Sequence, residues 1–102
     1  PNDEMIETIE IMNLAVSPKF QQQGIGKKLL LNAINYAREW GFSGLKIATG
    51  NSRVHQLRLY QSMGFEIERV IVDYFVDHYP APIYEAGIQC RDRIELRRSL
   101  NA

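Results

Sequence analysis

The run from Ile25 to Trp40 constrains the fold more than any other part of this chain. Apolar side chains recur there at Ile25, Leu29, Leu30, Ala33, Ile34, Ala37 and Trp40, while Lys27, Lys28, Asn32, Asn35, Arg38 and Glu39 fill the opposite face. That is the period of an amphipathic helix of about four turns. Gly41 is placed to close it with a left-handed cap, and Phe42 to pack back over the last turn. Before it lies Thr8 to Val16, TIEIMNLAV, rich in β-branched and long apolar side chains and stopped at Ser17-Pro18. After it comes the short apolar run Leu45 to Ala48. A strand-helix-strand unit with short connections closes as a right-handed crossover, which makes its two strands parallel.

A second helical pattern follows Thr49-Gly50-Asn51-Ser52, using Val54, Leu57, Tyr60 and Met63 and ending at Gly64. Phe65 to Phe75, FEIERVIVDYF, reads as a third strand. His78 to Pro82 forms a prolyl loop and a turn falls near Gly87. The last strand, Ile88 to Leu96, alternates, with Ile88, Cys90, Ile94 and Leu96 on one face and Gln89, Arg91, Arg93 and Glu95 on the other. The predicted fold is α/β, in the order strand, helix, strand, helix, strand, strand. Its sheet is mixed, the last two strands pairing antiparallel through the prolyl loop.

Length and composition narrow what such a fold does. With 102 residues, 45% of them hydrophobic, the chain is expected to be a single domain spanning 1–102. Twelve basic and twelve acidic side chains cancel, so nothing in the overall charge argues for nucleic acid or for an acidic membrane surface, neither is expected as a partner, and any affinity for polyanions has to be local. Cys90 is the only cysteine, which excludes an internal disulfide and a cysteine zinc site and fits a reducing, cytoplasmic setting. No apolar run approaches a membrane span, and PNDEMIETIE is acidic where a secretion signal carries positive charge. No His, Asp and Glu cluster has metal-ligand spacing.

The stretch QQQGIGKK, Gln21 to Lys28, places two glycines where the first helix must start. A helix N-terminus carries backbone N–H groups without internal acceptors and about half a positive charge. If a phosphate or pyrophosphate approaches that backbone, a Cβ at Gly24 or Gly26 stands in its way. Lys27 and Lys28 add positive charge beside the turn. The plainer reading is a tight turn between strand and helix. The spacing is neither a Walker loop nor a dinucleotide turn, which would need glycine where Leu29 stands.

LAVSPKFQQQGIGKKLL followed by LYQSMGF resembles the GCN5-related N-acetyltransferase (GNAT) superfamily, whose signature Gln/Arg-x-x-Gly-x-Gly/Ala is matched by Gln21-Gln22-Gln23-Gly24-Ile25-Gly26. The longer run TGNSRVHQLRLYQSMGF, with DYFVDHY and GIQCRDRIEL, is similar to a bacterial subgroup of acetyltransferases. The resemblance implies that the amides of Gln21, Gln22, Gln23, Gly24, Ile25, Gly26 and Lys27 hold the pyrophosphate of acetyl-coenzyme A. It implies too that Leu14, Ala15 and Val16 pair with the pantetheine arm. Tyr60 matches the tyrosine that protonates the departing thiolate, a role suited to a phenol that is a donor at neutral pH; the alternative is a tyrosine buried for packing. Asn51 resembles a cofactor-contacting asparagine, although in the commonest family spacing that place falls at Arg53; its alternative is a helix N-cap or turn residue. Glu10 stands where histone-type members keep a general base, and its alternative is a solvated strand residue.

Other residues carry weaker readings. His78 and Tyr79 line the acceptor cleft or pack the loop. Cys90 reads as a small core residue rather than a nucleophile. Arg91, Arg93, Arg97 and Arg98 form a basic strip, ordinarily a solvated face.

The resemblance implies an acyl-CoA N-acyltransferase fold lacking its N-terminal strands and helices, and the first strand would then have an unpaired edge. Two readings follow: a truncated or excised piece, or an edge covered by a second copy or partner chain. The expected activity is direct transfer of acetyl from acetyl-coenzyme A to the primary amine of a small molecule or peptide. The rival is a non-catalytic coenzyme A-binding or interaction module.

Overall fold

The computed structural model describes residues 8–11 and 24–100, with the backbone alone described at residues 8–11 and at Ile25. The first strand, β1, is Thr8–Ile11; the rest of the expected strand lies outside the described residues. The long helix α1, Ile25–Glu39, follows the predicted span closely. It buries Leu30, Ile34 and Ala37 almost completely. These three fall on one line at 100° per residue, and burying each larger side chain contributes about 2 kcal/mol. Leu29 and Trp40, expected on the same face, are exposed, Trp40 by 68%. Both lie roughly a quarter-turn to one side, where Trp40 meets the ring of Tyr36 at 5.9 Å instead of the core.

Strand β2, Gly44–Gly50, pairs parallel with β1, Thr8 opposite Gly44 through Ile11 opposite Ile47, as the crossover requires. Helix α2 is Val54–Ser62 and β3 is Glu66–Ile71. The last strand of the main sheet, β6, is Arg93–Ser99, and the sheet order is β1-β2-β6-β3. Bonds from Asn51 N–H to the Asp92 carbonyl and from Leu100 N–H to the Ser43 carbonyl run β6 antiparallel to β2.

Two helices end alike. In α1 the Gly41 N–H bonds the Arg38 carbonyl and the Phe42 N–H bonds the Ala37 carbonyl; in α2 the Gly64 N–H bonds Gln61 and the Phe65 N–H bonds Tyr60. This is the Schellman arrangement, with the glycine left-handed at φ 82° and 92°. In α2 the accompanying apolar contact is between the rings of Phe65 and Tyr60, centroids 6.2 Å apart.

Two expected strands are corrected. The third was expected to run to Phe75, but β3 stops at Ile71 and Tyr74–His78 form a short helix, α3. Asp73 turns the chain at φ 60°, its N–H bound by the Asp92 carboxylate and its own carboxylate by Arg91. His78 therefore belongs to α3 rather than to the loop. The strand expected from Ile88 to Leu96 is broken. Tyr84–Glu85, β4, and Ile88–Gln89, β5, form a separate antiparallel hairpin around Ala86-Gly87, and the ladder resumes only at Arg93. Ile88, expected on one face with Cys90, Ile94 and Leu96, is exposed where those three are buried.

The chain divides into two compact units. Among the described residues, the core of the first unit, residues 1–47 and 97–102, is Leu30, Ile34, Ala37, Leu45, Ile47 and Leu100; in residues 48–96 it is Tyr60, Phe65, Cys90, Ile94 and Leu96, with Thr49 and Ser52 also buried.

Candidate cofactor turn and acid

Gly24 is the N-cap of α1, with φ 77° and ψ 5°. A side chain there would be strained by the left-handed backbone, which costs roughly 1–2 kcal/mol, although a Cβ would meet nothing within 4 Å. Within the protein, then, the reason for glycine is conformational rather than steric. The first intrahelical bond runs from the Lys28 N–H to the Gly24 carbonyl at 3.1 Å. The amides of Ile25, Gly26 and Lys27 precede it and have no helical acceptor. Among the described residues no side chain caps this end and its first turn holds no acid, while Lys27 and Lys28 are exposed. The end of a fifteen-residue helix, uncapped and flanked by two lysines, fits an anionic group such as a pyrophosphate. Gln21, Gln22, Gln23, Leu14, Ala15 and Val16 lie outside the described residues. Glu10 stands in β1 opposite Lys46.

In the other unit, Tyr60 is 2% exposed, its ring held by Phe65. Burial pushes its phenol above the ordinary value of 10.0, and the charge of Arg53 opposes that rise. It is therefore a neutral hydrogen-bond donor at pH 7, as a general acid must be.

Asn51 has a definite structural task. Its Oδ1 accepts from the N–H groups of Arg91 at 2.7 Å and Asp92 at 2.9 Å, and its Nδ2 donates to the Gln89 carbonyl at 3.1 Å. These bonds take the place of the ladder between β5 and β6. Arg53, not Asn51, is the N-cap of α2, and α2 has no side-chain cap. The two residues that follow Asn51 reach the other arm of the hairpin: Ser52 Oγ and Arg53 Nε both donate to Glu85 Oε1, at 3.0 and 3.1 Å. The sequence reading missed this clasp. Its only local signal was a polar tripeptide before a helix, and Glu85 lies more than thirty residues away.

The remaining candidates resolve into packing. His78 stacks on Tyr74 at 4.2 Å and its Nδ1 sits 2.7 Å from the Tyr74 carbonyl oxygen, while Tyr79 lies near the Phe75 ring. Cys90 is buried. The basic strip is not simply solvated, since Arg91 pairs with Asp73, and Arg93 pairs with Glu95 and lies over the Tyr74 ring. Among the described residues no group of His, Cys, Asp or Glu could hold a metal, and no helix is long and apolar enough to cross a membrane.

A parallel strand pair bridged by a helix that opens on a left-handed glycine, followed by a helix carrying a buried tyrosine, makes an α/β domain with an anion-ready turn. The chain belongs to the acetyltransferase (GNAT) family, whose model matches residues 2–65. It is 48% identical over 90 residues to the N-acetyltransferase YvbK of Bacillus subtilis, covering 88% of this chain and 58% of that protein. It superposes with TM-score 0.88 and 51% identity on an IAA acetyltransferase from Bacillus cereus, covering 92% of this chain and 63% of that one. A GNAT family acetyltransferase from Elizabethkingia anophelis, solved with acetyl-CoA bound, gives TM-score 0.86 and 48% identity over 93% of this chain and 62% of its own. The chain thus spans about three-fifths of the length of these relatives.

Proposed function

We propose that this chain is the cofactor-binding part of an N-acetyltransferase that moves acetyl from acetyl-coenzyme A to a primary amine by direct attack. The observation that carries the reading is the uncapped, lysine-flanked N-terminus of α1 opening on left-handed Gly24, inside the family match. In this reading the amides from Gln21 to Lys27 bind the pyrophosphate, Leu14 to Val16 pair with the pantetheine, and Tyr60 gives its proton to the departing thiolate. Glu10 is the proposed base. Asn51 supports the site by holding the segment after β5, and contact with the cofactor is left to its remaining amide hydrogen. The acceptor is the amine of a small molecule or peptide, in the cytoplasm. Because β1 is terminal in the described sheet, a second copy is proposed to cover its edge; light scattering that shows a clean monomer at high concentration would sink that part.

Titration calorimetry with acetyl-coenzyme A tests the cofactor site. Saturable binding is expected, weakened in Gly24→Ala, whose left-handed turn is strained. Equal affinity in the two proteins refutes the role given to the turn. Tyr60→Phe separates enzyme from binding module: the enzyme loses turnover and keeps its cofactor affinity. The binding-module reading draws on the three-fifths span, and it is supported if acetyl-coenzyme A binds while a panel of amines elicits no thiol release.

A further inference from the structure

If Tyr60 protonates the thiolate, its chemistry poses a difficulty. An ordinary thiol has a pKa near 8.5 and an ordinary phenol near 10, so passing the proton from phenol to thiolate is uphill by about thirtyfold before any effect of the protein. Burial of Tyr60 makes the step harder still, because a phenolate in an apolar setting is poorly solvated. A productive site needs positive charge near the phenolate oxygen.

The geometry of α2 supplies a candidate. Side chains in a helix lean toward its N-terminus, so the Tyr60 phenol reaches back toward the start of α2. Tyr60 lies seven residues after the N-cap, two turns along and on nearly the same face. That N-cap is Arg53, and no side chain caps the end. The guanidinium does not swing freely, because its Nε is bonded to Glu85 Oε1 at 3.1 Å, and the same oxygen is held by buried Ser52 at 3.0 Å. A long, half-exposed side chain is thereby fixed at the positive end of the helix dipole. The ring itself rests on apolar Phe65.

We propose that Arg53, pinned by Glu85 at the start of α2, is a positioning residue for the Tyr60 step, holding the positive charge that stabilises the phenolate as it forms. This inference rests on the reading of Tyr60 as the acid. The amine nitrogen bonds to the acetyl carbon and loses one proton to a base or to water. The C–S bond breaks with its electron pair going to sulfur, and sulfur takes the Tyr60 proton. The phenolate left beside Arg53 then regains a proton from solvent, so the enzyme is restored and the products are an amide and a free thiol. The charge of Arg53 opposes the effect of burial on the Tyr60 phenol; Glu85, from β4, faces Arg53 and offsets part of its field.

The test reads the phenol directly. Tyrosine Cζ labelled with carbon-13 is followed by NMR through an alkaline titration, with Tyr60→Phe assigning the Tyr60 signal among the five tyrosines. In Arg53→Gln the Tyr60 titration moves to higher pH. In Glu85→Gln, which keeps an oxygen for Ser52 and Arg53 but removes the opposing charge, it moves to lower pH. Thiol release from acetyl-coenzyme A, with an amine chosen from a screened panel, falls about two- to fivefold in Arg53→Gln, the factor that a half-exposed charge interaction is worth, and Arg53→Lys restores part of it. The proposal is overturned if the Tyr60 signal titrates alike in all three proteins, or if Arg53→Gln releases thiol as fast as the parent. Failure of the underlying reading is distinct: Tyr60→Phe would then turn over normally, whatever the titrations give.

Discussion

Replacing Asn51 by alanine tests whether this residue holds the protein together or holds a ligand. Its side chain accepts two backbone N–H groups and donates to one carbonyl, all in the segment 89–92. Three bonds at about 1 kcal/mol each set a ceiling near 3 kcal/mol. Arg91 is exposed, so water can reach its N–H and recover part of that loss, and the expected destabilisation is about 2 kcal/mol. In urea followed by circular dichroism, the midpoint should fall by about 1–2 M for a domain of this size. Asn51→Asp keeps both accepted bonds but sets a carboxylate oxygen against the Gln89 carbonyl, so it should fall between. A midpoint unchanged within error, together with weakened acetyl-coenzyme A binding, would refute the structural assignment and make Asn51 a cofactor contact.

Two further outcomes follow from local environments. A Cβ at Gly50 would meet Cys90 Sγ and approach the Phe75 ring at 3.4 Å; Gly50→Ala should cost about 1–3 kcal/mol by overpacking, and Cys90→Ala in the same protein should recover much of it. At Gly44 the atoms nearest the Cβ belong to the guanidinium of Arg97, the far end of a flexible side chain, so Gly44→Ala should lower the melting temperature less than Gly50→Ala; equal losses at the two glycines would contradict this contrast. Because burial raises the Tyr60 phenol above its ordinary value of 10.0, the native state keeps a proton that the unfolded chain releases. That contribution is complete below the unfolded value, about pH 10, and is lost as pH rises through the higher folded value, so urea midpoints measured through this range should fall less in Tyr60→Phe than in the parent.

What the sequence made legible was what neighbours along the chain determine. The period of α1, the glycine caps at Gly41 and Gly64, and the parallel pairing of β1 and β2 all follow from residues within a few turns or from a short crossover, and the structure carries them. The exposure of Leu29 and Trp40 was hidden because an apolar residue at the margin of a helical stripe looks the same whether or not a sheet lies beneath it. The end of β3 and the gap between β5 and β6 were hidden for a different reason. Asp73 turns because Asp92 binds its N–H, and Arg91 and Asp92 leave the ladder because Asn51 takes their amides. Alternating apolar residues continue through both places in the sequence. Of the candidate site, Gly24 stood out in the glycine spacing and Tyr60 through the family resemblance, whereas the pairing of Arg53 and Ser52 with Glu85 had no local trace.

The clasp from Asn51, Ser52 and Arg53 to the arms of the hairpin works in a chain with a single cysteine as a staple without a covalent bond. Every bond in it closes a loop of 32 to 41 residues. Most of the entropy of closing such a loop is lost when the first bond forms, and the later bonds add little to that loss. The staple therefore forms as a unit and opens as one, and substitutions at its members will not add: the second broken bond costs less than the first.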